Sequence, residues 1–366
     1  MVIMTNYFNF NFNRRGLIGS ALATTAALTV GGPAHAFVAP VRAVRTRPQT
    51  LTAAGRPHAV ETPGFRVHHL GVSWTGPETG GTLRLRYADG WRNRRPLTAI
   101  DSADRNRRRA LLYVGDAEAY EFVPADGTAR VRLHAINTVD GPAIGPTRDR
   151  VRDWNGLTYL SRSGWGADES LRFEPDGTEK FPTAFFDVQT LTVHHTVSAN
   201  ADPDPAATVR AIYFFQCITE DFGDIGYHLL IDQAGTVYEG RYSGPDRLPV
   251  FGPRRVGPRP SMVNGAHIAG FNAGNIGVAL LGDLTSTGPT AEARQALVTV
   301  LAALATVTHL KPLGTTDYVN PISGATRTVS TISGHRDWAP TECPGNTFYP
   351  QLPQLRIDVA AAMGDS

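Results

Sequence analysis

The chain has 366 residues, a net charge of +2, 19% charged and 42% hydrophobic residues, and two cysteines. That composition fits a soluble globular protein and excludes a disordered, collagen-like or disulfide-dense chain; the length predicts more than one domain. The near-zero net charge hides an asymmetry. Residues 37–155 carry 19 arginines against 12 acids, and residues 156–366 carry 14 basic residues against 21 acids. The change of sign near residue 155 predicts a domain boundary there and an anionic partner for the first part.

Residues 1–36 read as an export signal. Arg14 and Arg15 precede an apolar run from Leu17 to Val30, and Ala34 and Ala36 stand at the small positions before a cleavage site. The pair resembles a twin-arginine signal, so the protein is expected to be secreted, extracellular or wall-associated. The run is short for a membrane span, and no other long apolar run follows; no mature transmembrane span is expected. No Walker-type or dinucleotide glycine pattern and no nucleic-acid motif stands out.

Residues 37–62, rich in Pro, Arg, Thr and Ala, read as a linker. Residues 63–155 alternate in short runs, FRVHHLGVSW, TLRLRYADGW and RVRLHAIN, separated by ADG turns. This predicts a small all-β, sandwich-like domain. His68 and His69 adjoin in a strand, so they point to opposite faces and are not expected to share a metal. The basic stretch 92–109 has two readings: a solvated loop, or a surface for an anionic cell-wall polymer.

From residue 156 the pattern becomes mixed α/β. TLTVHHTV (190–197) and IGVALLGD (276–283) read as buried strands, and YHLLID and TVYEGR as a hairpin around QAG. A helix is expected after the N-cap Asp204 and Pro205, with Val209, Ile212 and Phe215 on one face. A longer one is expected after the cap Thr290, with Leu297, Val300, Leu301 and Leu304 as its stripe. TVSTISGH (328–335) brings a strand to the stretch GHRDWAPTECPG, residues 334–345.

That last stretch places His335 at a strand end and Cys343 after a loop. Catalytic zinc commonly takes three protein ligands and keeps an open position. A third ligand must come from a neighbouring strand, and of His194 and His195 only one can face the same side as His335. The bland alternative is a Cys217–Cys343 disulfide, which would consume Cys343.

The ordered blocks SRSGWGA, TVHHTVS, DIGYHLLIDQAGTVYEGR, GAHIAGFNAGNIGVALLGD and GHRDWAPTECPG, over about residues 159–355, resemble the peptidoglycan recognition protein and type 2 N-acetylmuramoyl-L-alanine amidase family. The β region resembles the N-terminal extension of actinobacterial members. The resemblance implies a mixed central β-sheet flanked by helices over residues 156–366. It implies one zinc ion on His194, His335 and Cys343, with Tyr227 and Thr341 as catalytic residues. His267, Asn272 and Arg241 match positions near the substrate groove. The implied activity is hydrolysis of the linear amide between N-acetylmuramic acid and L-alanine, with peptidoglycan or muropeptides as partner. A non-catalytic recognition module is the alternative; such members typically lose the ligand cysteine. His195 and His228 are expected to be structural. Two departures stand out. Residues 242–264 form an insertion rich in Pro, Gly and Arg, whose Arg254, Arg255 and Arg259 either rim the groove or stay solvated. Tyr242, in place of the family tryptophan, follows Arg241.

Overall fold

The structure is a computed structural model that describes residues 44–51, 60–100, 107–141, 151–154, 156–244, 249–255 and 260–364. The expected export signal and most of the expected linker lie outside the described residues.

The alternating runs of the first part become two antiparallel sheets. Strands β1 (Arg45–Leu51), β2 (Val60–Glu61), β3 (Val67–Thr75), β4 (Thr79–Tyr87), β5 (Gly90–Trp91), β6 (Arg95–Thr98), β7 (Arg108–Ala117), β8 (Ala119–Pro124) and β9 (Ala129–Asn137) follow in order. One sheet runs β1-β9-β3-β7; the other runs β2-β8-β4-β5, with β6 also on β4. Val67, Leu70, Val72 and Leu133 of the first sheet share a core with Leu83, Leu85, Tyr120 and Phe122 of the second. Strand β1 departs from the linker expected over residues 37–62. Its seven residues pair with β9, from Arg45 opposite Asn137 to Leu51 opposite Val131. Its Pro48 is tolerated because β1 is an edge strand, where one side of the ladder needs no donor.

The second part is built on a seven-stranded mixed sheet. Its strands are β10 (Val151–Trp154), β11 (Leu157–Leu160), β13 (Thr190–His195), β14 (Leu229–Ile231), β15 (Val237–Glu239), β18 (Asn275–Leu280) and β21 (Ile332–Gly334), in the order β10-β11-β15-β14-β18-β13-β21. Strand β10, expected in the β region that ends at 155, pairs instead with β11. Strand β12 (Phe185–Asp187) pairs with β17 (Pro260–Val263), and β17 with β16 (Phe251–Arg255), so the 242–264 insertion adds a small sheet. Strands β19 (Thr315–Val319) and β20 (Thr326–Ser330) form a separate hairpin.

Helices α1 (Arg162–Trp165), α2 (Pro205–Phe214), α3 (Ala291–Thr308) and α4 (Leu352–Ala362) complete the layers. The Asp204 side chain accepts from Ala207 N and the Thr290 side chain from Ala293 N, which satisfies a free amide at each helix start. Leu297, Val300, Leu301 and Leu304 of α3, with Leu352, Leu355 and Val359 of α4, pack on Leu191, Val193 and Val278 of the sheet. The opposite sheet face, with Leu230 and Ala279, receives Val209, Ile212 and Phe215. Among the described residues no helix is long and apolar enough to cross a membrane.

Helix α2 is not half-exposed as a one-sided stripe predicts. Every residue from Ala207 to Phe214 is buried. Leu111 of β7 and Ile136 of β9 join the cluster that α2 forms with the central sheet, so the helix lies between two sheets. A helix buried all round is the expected state of a core element. Each large apolar side chain fully removed from water contributes roughly 1.5–3 kcal/mol. The approach is close: a Cβ on Gly71 of β3 would lie 2.7 Å from Phe215 Cδ2. The buried Arg210 of α2 donates to Thr138 O at 2.8 and 3.1 Å and to Trp165 O at 2.7 Å, tying the N-terminal segment to α1.

Candidate metal centre

The sheet face that carries α2 also carries the site. In register, His194 of β13 lies opposite Ala279 of β18, and Ala279 opposite Leu230 of β14. Ala279 and Leu230 belong to the cluster under α2. His195, one residue on, must point to the other face. It does so: its Nδ1 accepts from Leu284 N at 3.0 Å. Two neighbouring histidines of one strand are thus separated by the pleat.

His335 follows β21 directly and begins a short 3-10 turn, His335–Asp337. The Asp337 carboxylate accepts from Gly334 N at 2.8 Å and from the Tyr349 hydroxyl at 2.5 Å, which fixes that turn. The loop onward is closed by Arg336 N donating to Cys343 O at 3.0 Å. It returns Cys343 to the end of β13, where His195 N donates to Cys343 Sγ at 3.4 Å, an interaction that favours a thiolate.

His194, His335 and Cys343 therefore converge. Their donor atoms all lie within 4.8 Å of one another, and all three residues are buried. Cys343 Sγ is 3.6 Å from His194 Nδ1, and the two imidazole centroids are 4.7 Å apart. Two imidazole nitrogens and one sulfur form a donor set suited to zinc.

Hydrogen bonds set the tautomer of His194. The Asn275 carbonyl can only accept, and His267 Nε2 reaches it at 2.9 Å, so His267 carries its proton on Nε2. His267 Nδ1 is then the acceptor for His194 Nε2–H at 3.0 Å. His194 Nδ1, the nitrogen beside Cys343, is left with its lone pair. Such an outer partner orients a ligating imidazole and raises its basicity. Burial, reinforced by the neighbouring His335, His267, His195 and His228, holds His194 well below the usual histidine range, so the ring is neutral. Two glycines make room for this stack: a Cβ on Gly277 would meet the His267 ring at 2.7 Å, and one on Gly265 would meet His228 at 2.7 Å. His228 accepts from Gly277 N on Nδ1 at 2.9 Å and donates from Nε2 to Val263 O at 2.7 Å.

Tyr227 is half-buried, with its ring centroid 5.3 Å from that of His194. A buried ion pair places its segment: Arg162 donates to Asp224 Oδ1 at 3.0 Å, and Asp224 accepts from Ile225 N at 2.7 Å and Tyr242 N at 2.9 Å. The SRSGW block therefore serves Tyr227 from a distance.

Thr341 Oγ1 accepts from Cys343 N at 3.0 Å, so it holds the ligand loop and keeps its own hydroxyl proton to donate. Asn272 turns inward, its Oδ1 accepting from His267 N and Ile268 N at 2.8 Å each. Arg241 is 3% exposed, with its guanidinium 4.9 Å from the Phe181 ring centroid. Neither lines the cavity beside this candidate metal centre, whereas His267 does. Arg259 lies outside the described residues, as do the side chains of Arg254 and Arg255. Cys217 and Cys343 are not joined in a disulfide: Cys217 donates to Leu171 O at 3.0 Å, and burial pushes its thiol up to about 12.

The outer shell was only partly visible in the sequence. The bond from His267 to His194 and the carbonyl of Asn275 had no sequence signal beyond the glycines at 265 and 277. Of two further cavity residues, Arg109 of β7 was read only as the end of the basic stretch 92–109, and Glu220 after α2 was not singled out.

Fold and site together define a mixed α/β protein with a buried three-donor centre on one face of its central sheet. A family profile described as N-acetylmuramoyl-L-alanine amidase (Amidase_2) matches residues 184–346. The chain is 32% identical over 166 residues to the Homo sapiens N-acetylmuramoyl-L-alanine amidase, covering 44% of this chain and 23% of that protein. It is 29% identical over 170 residues to Homo sapiens peptidoglycan recognition protein 3, covering 45% and 42%. It therefore spans less than half the length of these two relatives. Among solved structures, wild-type Drosophila PGRP-LB aligns at 24% identity and a TM-score of 0.38, over 53% of this chain and 91% of that one. Residues 184–346 thus match the amidase family profile, and this part of the chain is similar to proteins named as N-acetylmuramoyl-L-alanine amidase and peptidoglycan recognition protein.

Proposed function

We propose that the protein is a secreted, zinc-dependent N-acetylmuramoyl-L-alanine amidase that cleaves the amide between N-acetylmuramic acid and L-alanine of peptidoglycan. The observation that carries this reading is the buried convergence of His194, His335 and Cys343. These three would hold one zinc ion. When bound, zinc supplies a Lewis acid that polarises the amide carbonyl and makes water a better nucleophile at neutral pH.

The chain's own residues do the rest. His267 and the Asn275 carbonyl keep His194 in the ligating tautomer. The His195 amide steadies the thiolate. Tyr227 stands beside His194, where a phenol can orient the attacking water or donate to the developing oxyanion. Thr341 keeps a hydroxyl proton that can serve the same oxyanion. Export is part of the proposal and rests on Arg14, Arg15 and the apolar run that follows. Binding of an anionic wall polymer is also part of the proposal and rests on the clustered charge of the basic stretch 92–109. Several of its arginines are engaged within the protein, however: Arg94 with Glu121, Arg107 with Thr219 O and Arg109 with Glu220.

The test is digestion of purified cell walls by the zinc-loaded mature protein, with N-terminal alanine measured. New amino-terminal alanine is expected. Zinc-loaded protein that binds walls without releasing it sinks the hydrolase reading and leaves a recognition module.

A further inference from the structure

The hairpin β19–β20 supplies none of the three donors of the candidate metal centre, yet one of its faces rests on two segments that build it. Tyr318 and Arg327 lie directly opposite each other across the hairpin, as do Thr316 and Val329. Directly opposed residues share a face, and so do alternate residues of one strand. On this face Tyr318 and Val329 are buried and Arg327 is half-buried, whereas Asp317 and Thr328 of the other face are exposed.

The first segment is the loop that carries His267, the acceptor for His194. The Tyr318 hydroxyl donates to Ala273 O at 2.7 Å, and Asn320 Nδ2 donates to Gly270 O at 2.6 Å. Between these two anchors lies Asn272, whose side chain accepts from His267 N. The second segment is the His335–Asp337 turn with Trp338 behind it, where Trp338 N donates to His335 O at 2.9 Å. The two segments meet on the hairpin. The Phe271 ring of the first lies 5.3 Å from the Trp338 ring of the second, and both pack on Tyr318, at 5.9 and 5.1 Å between centroids. Arg327 touches both at once. Its guanidinium lies 5.3 Å from the Phe271 ring centroid, and its Nη1 donates to Asp337 O at 2.7 Å. The first contact is a cation–π interaction and the second a charge-assisted hydrogen bond, so each holds its segment at a defined place.

We propose that Arg327 is a positioning residue for the candidate metal centre: it fixes the spacing between the His267 loop and the His335 turn. It acts through two other residues. One is His335, a proposed ligand on the turn that Arg327 holds; the other is His267, which orients the proposed ligand His194. This deepens the zinc reading and rests on it. The hairpin is then a clamp that sets metal affinity without offering a ligand.

The experiment uses the full chain and reads metal binding rather than turnover. Zinc affinity is measured by competition against a chelator, and cobalt(II) in place of zinc reports the ligand geometry through its visible absorption. Arg327→Ala is expected to weaken zinc binding by about tenfold, at the low end of the loss from removing an outer partner, and to shift the cobalt spectrum. Arg327→Lys keeps a donor for Asp337 O but loses the planar contact with Phe271, and is expected to fall between; it also decides the matter if the alanine variant does not fold. Thr328→Ala is the control. It removes the bond from Thr328 Oγ1 to Asp317 Oδ1 on the exposed face of the same hairpin and is expected to leave affinity and spectrum at the wild-type level. Zinc affinity and a cobalt spectrum unchanged in Arg327→Ala would overturn the proposal, whatever that variant loses in stability. So would an equal loss of affinity in Thr328→Ala, which would make the effect one of general hairpin stability. A wild type that takes up neither metal would instead sink the zinc reading, and the clamp with it.

Discussion

The chain contains two adjacent histidine pairs, each on a strand and each after a valine: Val67-His68-His69-Leu70 and Val193-His194-His195-Thr196. Locally they are almost the same sequence. In β3, His68 Nε2 pairs with Asp116 at 2.9 Å, while His69 packs edge-on to Tyr113 and lies 3.4 Å from Thr208 Oγ1 of α2. In β13, His194 meets His335 and Cys343. The pleat splits both pairs alike. What differs is what the neighbouring elements bring. Next to β13 runs β21, which delivers His335 and the loop back to Cys343; next to β3 run β7 and β9, which bring a tyrosine, an aspartate and apolar side chains. A histidine pair becomes a candidate metal centre through its neighbours, not through its own spacing.

The largest expected effect breaks the comparison at its centre. Cys343→Ser should lower zinc affinity and wall hydrolysis by more than about 100-fold, beyond the usual loss from removing an outer-shell partner. His68→Ala should leave zinc content at the wild-type level. Metal analysis after dialysis reads both, and an equal loss of zinc from the two variants would refute the contrast.

A smaller effect sharpens it. His267→Ala removes the acceptor that fixes the His194 tautomer and should weaken zinc binding by about 10- to 100-fold without removing a ligand. Competition against a chelator measures this. Unchanged affinity would mean that His194 needs no such partner.

The smallest effect concerns the N-terminal sheets, where the histidines serve packing. Burial lowers His69 to about 3 and His134 to about 4. His134 Nδ1 lies 3.0 Å from Thr219 Oγ1, and Arg132 adds to its shift. Folded, both rings stay neutral; unfolded, they take up protons below about pH 6.5. The unfolded chain thus binds more protons between about pH 6.5 and 4, so stability is full above that window and falls as the pH drops through it. Urea unfolding of the zinc-loaded protein at a series of pH values should show the decline, and His69→Leu should flatten it. An unchanged slope in that variant would remove His69 from the account.

Much of the second part was legible because its signals are local. Asp204 and Thr290 are helix caps, the stripe through Leu297 and Leu304 faces the sheet, and QAG turns a hairpin. The loop from His335 to Cys343 could be proposed from its two ends. The pleat rule correctly parted His194 from His195. The reading stopped where a second element was needed. Residues 45–51 carry no strand pattern, since the pairing comes from the open edge of β9. The face of α2 that meets Leu111 and Ile136 could not be foreseen, because its partner lies about 100 residues upstream. Arg241 and Asn272, matched to the groove, spend their side chains on burial and on loop closure.

By itself, the sequence determined the types of the donor atoms, the caps, the strand alternation and the family profile that residues 184–346 match. These follow from chemistry carried by single residues or by spacings of a few positions. The tertiary structure alone decided which histidine of each pair would meet a sulfur, that His267 would steer His194, and that Arg109 would stand in the same cavity as Cys343. Those are meetings across strands and layers, and their distances depend on how two sheets and the helix between them pack.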